Sequence, residues 1–333
     1  MKKTFAIILS FVLAASAFAG CSSSSTPAES SAAPAESSSA TESSEASSSE
    51  AESTPEAEAP AADAVTEKAM DYFASFPEDK NVIQPEDLFA KIDAGEDMFI
   101  MDIRQPDVYA ESHIKGAVNI PFGKSIAESL SIIPDDKPVM VYCYTGQTSS
   151  QTAALLNVVG KYAKTVQSGF NNGISKVEGY EAYIDTEAVA LPTDSYPVEE
   201  AFQAAADKYY SDLEAAKGST FENFNFKPES LKEIIDAEDD SYLVYSVRQA
   251  EDYAKGHIPG AVNNPFGLGM QEKFSELPND KTIIVQCYSG QTSSQVMAIL
   301  RLLGYNAYSL SGGMGSADAG TGWLGAGYEV VTD

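Results

Sequence analysis

The chain has 333 residues, comfortable for two ordinary domains and too long for one small one. It carries 21 Lys and Arg against 49 Asp and Glu, a formal charge of −28, which argues against nucleic acid and against adsorption to an anionic membrane surface. Its 3 cysteines and 2 histidines do not suggest a disulfide scaffold and allow no metal-site spacing to be assembled.

The chain starts Met1-Lys2-Lys3 and continues with an apolar run from Phe5 to Phe18. That is the pattern of a secretion signal, with a core too short to serve comfortably as a permanent span. It ends Ala17-Phe18-Ala19-Gly20-Cys21, which resembles a bacterial lipoprotein lipobox, although Phe18 stands where an aliphatic residue is usual. The reading is a signal peptide over residues 1–20 with lipidation of Cys21. It places the protein outside the cytoplasm, lipid-anchored to the bacterial cell membrane. The rival reading is cleavage after Ala19, which releases a soluble protein. Residues 21–63 follow as a Ser/Ala/Glu/Pro tether. Residues 22–67 contain ten acidic residues and no Lys or Arg, and the stretch 22–62 has no apolar side chain larger than Ala or Pro. It cannot bury enough surface to offset its conformational entropy, so it is expected to be disordered.

From residue 64 the composition changes and an internal repeat begins. Pro85-Glu86-Asp87-Leu88 is answered by Pro228-Glu229-Ser230-Leu231, both reading as helix starts. Apolar strands follow, Met98 to Ile103 and Tyr242 to Val247, each ending at an arginine, Arg104 or Arg248. Arg104–Gly160 and Arg248–Gly304 match without a gap at an offset of 144. A helical pattern through Phe202, Tyr209, Tyr210 and Leu213 leads into the second copy, and an equivalent helix is expected around Val65 to Phe76. The division falls at 64–192 and 193–333. Alternating helices and near-continuous apolar strands give the fold class: α/β, two domains, each a small parallel β-sheet flanked by helices.

The most closely kept stretch is Cys143-Tyr144-Thr145-Gly146-Gln147-Thr148-Ser149-Ser150-Gln151, which returns as Cys287-Tyr288-Ser289-Gly290-Gln291-Thr292-Ser293-Ser294-Gln295 with one change. Each copy follows a β-branched run and opens a segment of helical spacing. A thiol then sits at the positive end of a helix, under a loop whose backbone N–H groups can converge on an anion. A thiolate is the form such a site favours. The plainer alternatives are an inert buried thiol at a strand end and a Cys143–Cys287 disulfide. His113 and His257, also 144 apart, read as structural, fixing the turn into the next strand.

Taken together, Asp102-x-Arg104, Tyr109, His113-Ile-x-Gly-Ala-x-Asn, the two cysteine loops, and Leu310-Ser-Gly-Gly followed by Trp323 make the chain resemble the rhodanese family, in tandem. The resemblance implies a five-stranded parallel sheet in each domain and a cysteine that carries sulfur as a persulfide. The function implied is transfer of sulfane sulfur from a small donor to a thiol or cyanide acceptor, with no cofactor. Cys143 and Cys287 are the catalytic candidates. The substrate-binding candidates are Tyr144, Thr145, Gly146, Gln147 and Thr148, their counterparts Tyr288, Ser289, Gly290, Gln291 and Thr292, and Arg104 and Arg248, for which local bracing is the competing role. Phosphatase relatives need Arg where Thr148 and Thr292 stand, so phosphate chemistry is disfavoured. Neither loop carries a basic residue, and Ser246 replaces the acid at position 102. The alternative function is a non-catalytic binding or persulfide-sensing module at the cell surface.

Overall fold

The computed structural model describes residues 59–332, all within one compact unit. The signal segment, Cys21 and the tether up to residue 58 lie outside the described residues. Helix α1 (Ala59–Ala74) begins ahead of the expected domain start, with Pro60 in its first turn, where a missing N–H costs nothing. The first module continues with β1 (Val82–Ile83), α2 (Pro85–Asp93), β2 (Phe99–Asp102), α3 (Pro106–Glu111), β3 (His113–Ile114) and β4 (Val118–Asn119). It is completed by α4 (Lys124–Glu128), β5 (Val139–Tyr142), α5 (Gln147–Val158), β6 (Ala163–Val166), α6 (Gly169–Asn172) and β7 (Ile184–Asp185). The second module runs α7 (Glu200–Ala215), β8 (Asn225–Phe226), α8 (Pro228–Asp236), β9 (Tyr242–Ser246), α9 (Ala250–Ala254) and β10 (Val262–Asn263). Then come β11 (Thr282–Gln286), α10 (Gln291–Leu302), β12 (Ala307–Leu310) and α11 (Gly322–Gly325).

Two parallel five-stranded sheets result, ordered β1-β6-β5-β2-β4 and β10-β9-β11-β12-β8. Read from opposite edges these are the same topology, the expected α/β fold formed twice. The strands are apolar almost throughout because both faces are covered. Phe99, Met101, Val139 and Val141 point into one core, while Ile100, Met140 and Tyr142 point into another. The second sheet divides the same way, with Ile283 and Val285 on one side and Ile284 on the other.

The inner faces of both sheets share a single core, built around α5 and α10, which pack on each other. The leading helices are exchanged across it. Although α1 precedes the first module, its Phe73 meets Phe266 and Phe274 of the second, with ring centroids 5.7 and 5.9 Å apart. Its Tyr72 hydroxyl donates to Gln295 Oε1 at 2.7 Å. Helix α7 precedes the second module and does the converse: Tyr209 donates to Gln151 Oε1 at 2.8 Å, and Tyr210 meets Phe122 at 6.0 Å. The division near residue 192 therefore falls between the two sheets and their outer cores, while the inner core is shared. Removing the Phe73 ring would cost about 3–5 kcal/mol, felt in the module that lies farther along the chain.

Candidate functional site

Strand β5 delivers Cys143 to the start of a tight loop, and α5 begins four residues later at Gln147. Gly146 makes the turn with φ +97°, and Gly290 makes its equivalent with φ +88°, a backbone region that L side chains avoid. The loop closes on its own sulfur. Gly146 N–H and Ser149 N–H point at Cys143 Sγ from 3.1 and 3.4 Å, and Ser149 Oγ lies 3.3 Å away. In the second module Gly290 N–H points at Cys287 Sγ from 3.1 Å. Amide donors with no cationic side chain among them suit a soft anion on sulfur.

A second turn supports each loop from below. Phe170 and Asn171 N–H donate to the carbonyls of Cys143 and Tyr144, both at 2.8 Å. Met314 and Gly315 N–H do the same for Cys287 and Tyr288, at 2.7 and 2.8 Å. This approach requires a residue without a side chain. A Cβ at Gly169 would fall 2.6 Å from Cys143 O, and one at Gly313 would fall 2.5 Å from Cys287 O.

Both cysteines are free thiols and both are nearly enclosed, at 2 % and 1 % exposure. Beside the first loop lies a cavity of about 270 Å³, lined by Tyr144 and Thr148 of the loop, Phe122, and Glu214, Lys217 and Glu222 from α7 and the segment after it. The approach to the first loop is thus walled partly by the second module's leading helix.

The expected substrate residues separate into groups. Thr145 and Ser289 stand exposed at the loop tips, and Thr148 and Thr292 are half-buried in the first helical turn. The hydroxyls of Tyr144 and Tyr288 accept from Gln105 and Gln249 N–H, each at 3.2 Å, and Tyr288 also donates to Asp252 Oδ2 at 2.6 Å. Burial, then the Asp252 hydrogen bond, raise the Tyr288 phenol. Gln147 and Gln291 do not face the loop mouth. Both are buried and cross to the opposite module, because the two helices they open pack against each other.

Arg104 and Arg248 are buried and brace the backbone beside the loops. Arg104 is 1 % exposed, pairs with the buried Asp102 at 2.7 Å, and donates to Ser112 O at 2.6 Å. Burial pulls its guanidinium down, and the Asp102 hydrogen bond and charge more than offset this, leaving it above its ordinary value. Arg248 donates to Gly256 O and Asp252 O at 2.7 and 2.6 Å. His113 stacks on Tyr109 with centroids 3.8 Å apart, and His257 on Tyr253 at 3.9 Å, in turn-fixing positions.

Sequence reasoning passed over Thr165 and Ser309, small buried hydroxyls on the last parallel strand of each sheet to follow the cysteine, which lie 2.8 Å from Ser149 Oγ and Ser293 Oγ. It also missed Gly169 as the partner of Gly313. The offset of 144 that relates the cysteines relates these pairs too, and was the signal available. Among the described residues no group of three or more His, Cys, Asp or Glu could hold a metal ion.

The Rhodanese-like domain family model matches the chain twice, over residues 84–185 and 227–317. The chain belongs to the rhodanese-like family. The YtwF protein of Bacillus subtilis is 38 % identical over 85 residues, 26 % of this chain and 81 % of that protein. The thiosulfate sulfurtransferase GlpE of Pseudomonas entomophila is 34 % identical over 104 residues, 31 % of this chain and 84 % of that one. A tRNA sulfurtransferase of Desulfurococcus amylolyticus is 34 % identical over 101 residues, 29 % of this chain, which spans only 20 % of that protein. At family level the function of these rhodanese modules is sulfur transfer, with a sulfur donor and an acceptor as partners.

Proposed function

We propose that the protein carries sulfane sulfur as a persulfide on Cys143 and Cys287, taking it from a small donor and passing it to a thiol or to cyanide. The observation that carries this reading is the convergence of Gly146 N–H, Ser149 N–H and Ser149 Oγ on Cys143 Sγ within 3.4 Å. In the first step the cysteine thiolate attacks the outer sulfur of the donor. With thiosulfate, the S–S bond breaks, sulfite leaves with the bonding pair, and the cysteine is left as Cys–S–S⁻. In the second step an acceptor thiolate attacks that outer sulfur, and the original cysteine thiolate departs. Charge and electrons balance without an oxidant. The absence of basic side chains from both loops and the acidity of the chain favour a donor less charged than thiosulfate, such as a persulfidated thiol. Working outside the cell membrane on a lipid anchor at Cys21 is part of the same proposal, supported by the signal-like start of the chain; mass spectrometry of the mature N-terminus, seeking a diacylglyceryl group on Cys21, tests it.

The enclosure of both thiols, at 2 % and 1 % exposure, favours the second reading, a module that binds or senses persulfides without turnover. A transfer assay separates the two. With glutathione persulfide, mercaptopyruvate or thiosulfate as donor and cyanide as acceptor, the enzyme reading expects thiocyanate formation that disappears in the Cys143→Ser/Cys287→Ser double variant. No thiocyanate above the double variant with any donor would leave only the binding module.

A further inference from the structure

The two loops are tied together through their glutamines. Gln147 Oε1 accepts from Gly312 N–H of the other module at 3.1 Å, and its Nε2 donates to Asn225 Oδ1 at 3.3 Å. Gln291 makes the return crossing. Its Oε1 accepts from Ser168 N–H at 3.0 Å, and its Nε2 donates to Val166 O at 3.2 Å and Thr165 Oγ1 at 3.4 Å. Each amide lies where the opposite loop's glycine has no side chain: a Cβ at Gly146 would be 2.9 Å from Gln291 Cδ, and one at Gly290 would be 2.5 Å from Gln147 Cδ.

From Gln291 the contacts run on to the first sulfur. Thr165 Oγ1 lies 2.8 Å from Ser149 Oγ, which lies 3.3 Å from Cys143 Sγ. Gln291 is 3 % exposed, and Thr165 and Ser149 are fully buried, so water does not compete for these groups. An amide N–H can only donate, whereas a hydroxyl both donates and accepts. In the thiol, Cys143 Sγ donates to Ser149 Oγ and the Ser149 hydroxyl to Gly146 O at 3.2 Å. With negative charge on the sulfur the hydroxyl can turn, so that all three links point the same way: Gln291 N–H to Thr165, Thr165 O–H to Ser149, Ser149 O–H to sulfur. Aligned donors of this kind strengthen one another in a buried setting.

We propose that Gln291 is a positioning residue for Cys143, acting from the second module through Thr165 and Ser149 to hold charge on the sulfur. Gln147 does the lesser mirror task for Cys287 by fixing the Gly312–Gly313 turn beneath that loop. Neither sulfur site is complete within its own module. The inference rests on Cys143 and Cys287 being the reacting sulfurs, yet its test needs no sulfur donor, so a failure of sulfur transfer and a failure of this proposal are separately visible.

The test is alkylation of the intact protein by iodoacetamide over a pH series, followed by peptide mass spectrometry for each cysteine. Gln291→Met removes the donating amide without adding charge, and Thr165→Val cuts the relay inside the first module. Both are expected to slow Cys143 by about fivefold, the scale of one neutral hydrogen bond, and to move its pH profile upward, leaving Cys287 within about twofold. Gln147→Met is expected to slow Cys287 and spare Cys143. Should Gln291→Met fail to fold, Thr165→Val alone decides for the relay, and Gln147→Met for the crossing. Equal slowing of both cysteines by Gln291→Met, or an unmoved Cys143 profile in Thr165→Val, would overturn the proposal.

Discussion

Beneath the first loop, strand β2 ends on Asp102, and Arg104 closes on it through Nε and Nη2 at 3.0 and 2.7 Å while lying 4.0 Å over the Phe170 ring. Beneath the second, the corresponding residues are Ser246, Arg248 and, in place of Tyr142, Gln286. Arg248 keeps its two carbonyl contacts but has no carboxylate at Ser246. Ser246 Oγ, Arg248 Nε and Gln286 Oε1 are buried without a hydrogen-bond partner among the described residues. Two loops nine residues long and nearly identical thus rest on different foundations. The contrast teaches that the loop is specified by its own backbone turns and by the opposite module, whereas the ion pair below it stabilises one module without being needed to shape the loop.

That contrast is most sharply broken by Asp102→Ala, which strands Arg104 as a buried charge without its carboxylate. A loss of about 3–5 kcal/mol is expected in urea unfolding, because removing one partner of a buried pair costs far more than the pair contributes over an apolar substitute. Next is the shared support turn. Gly313→Ala pushes a methyl against the Cys287 carbonyl and loop amides, backbone that cannot yield, whereas Gly290→Ala meets the movable end of Gln147. Losses of about 2–3 kcal/mol for the first and about 1–2 for the second are expected in the same experiment.

Ser246→Asp supplies the missing carboxylate beside Arg248 and is expected to raise stability by about 1 kcal/mol, narrowing the difference between the modules. No gain would mean that the cost of burying the new carboxylate offsets its pairing with Arg248. The smallest effect is a pH dependence confined to the second module. The Lys255 hydrogen bond, then that from Tyr288, hold the Asp252 carboxyl below its usual range. A carboxyl lowered by folding adds stability above its unfolded value, near about pH 4, and that contribution fades as the pH falls through the lower folded value. Asp252→Asn is therefore expected to lower stability slightly at neutral pH and to make no difference at the acid end, so that the acid side of the stability curve flattens, read by thermal melting at a series of pH values.

The sheets, the loops and their spacing were legible because they rest on local signals: strand periodicity, Pro85 and Pro228 at helix starts, and a gapless register of 144. Partner choice was not. Tyr72-Phe73 and Tyr209-Tyr210 announce amphipathic helices, but nothing in an apolar stripe says that both will enter one shared core and reach across it to the other module. Gln147 and Gln291 looked like pocket residues because they follow the loop cysteine, and only the packing of α5 on α10 turns them across. The second turn that Gly169 and Gly313 bring up under each loop was equally invisible, since it is a contact between distant segments.

On the proposed function both sulfurs, despite their enclosure, accept another sulfur. Peptide-resolved mass spectrometry of the full chain after exposure to glutathione persulfide, mercaptopyruvate and thiosulfate measures this directly. One added sulfur on the Cys143 peptide and one on the Cys287 peptide, each lost in its own Cys→Ser variant and kept in the other, is the result expected. Unmodified peptides at both positions with all three donors would contradict it.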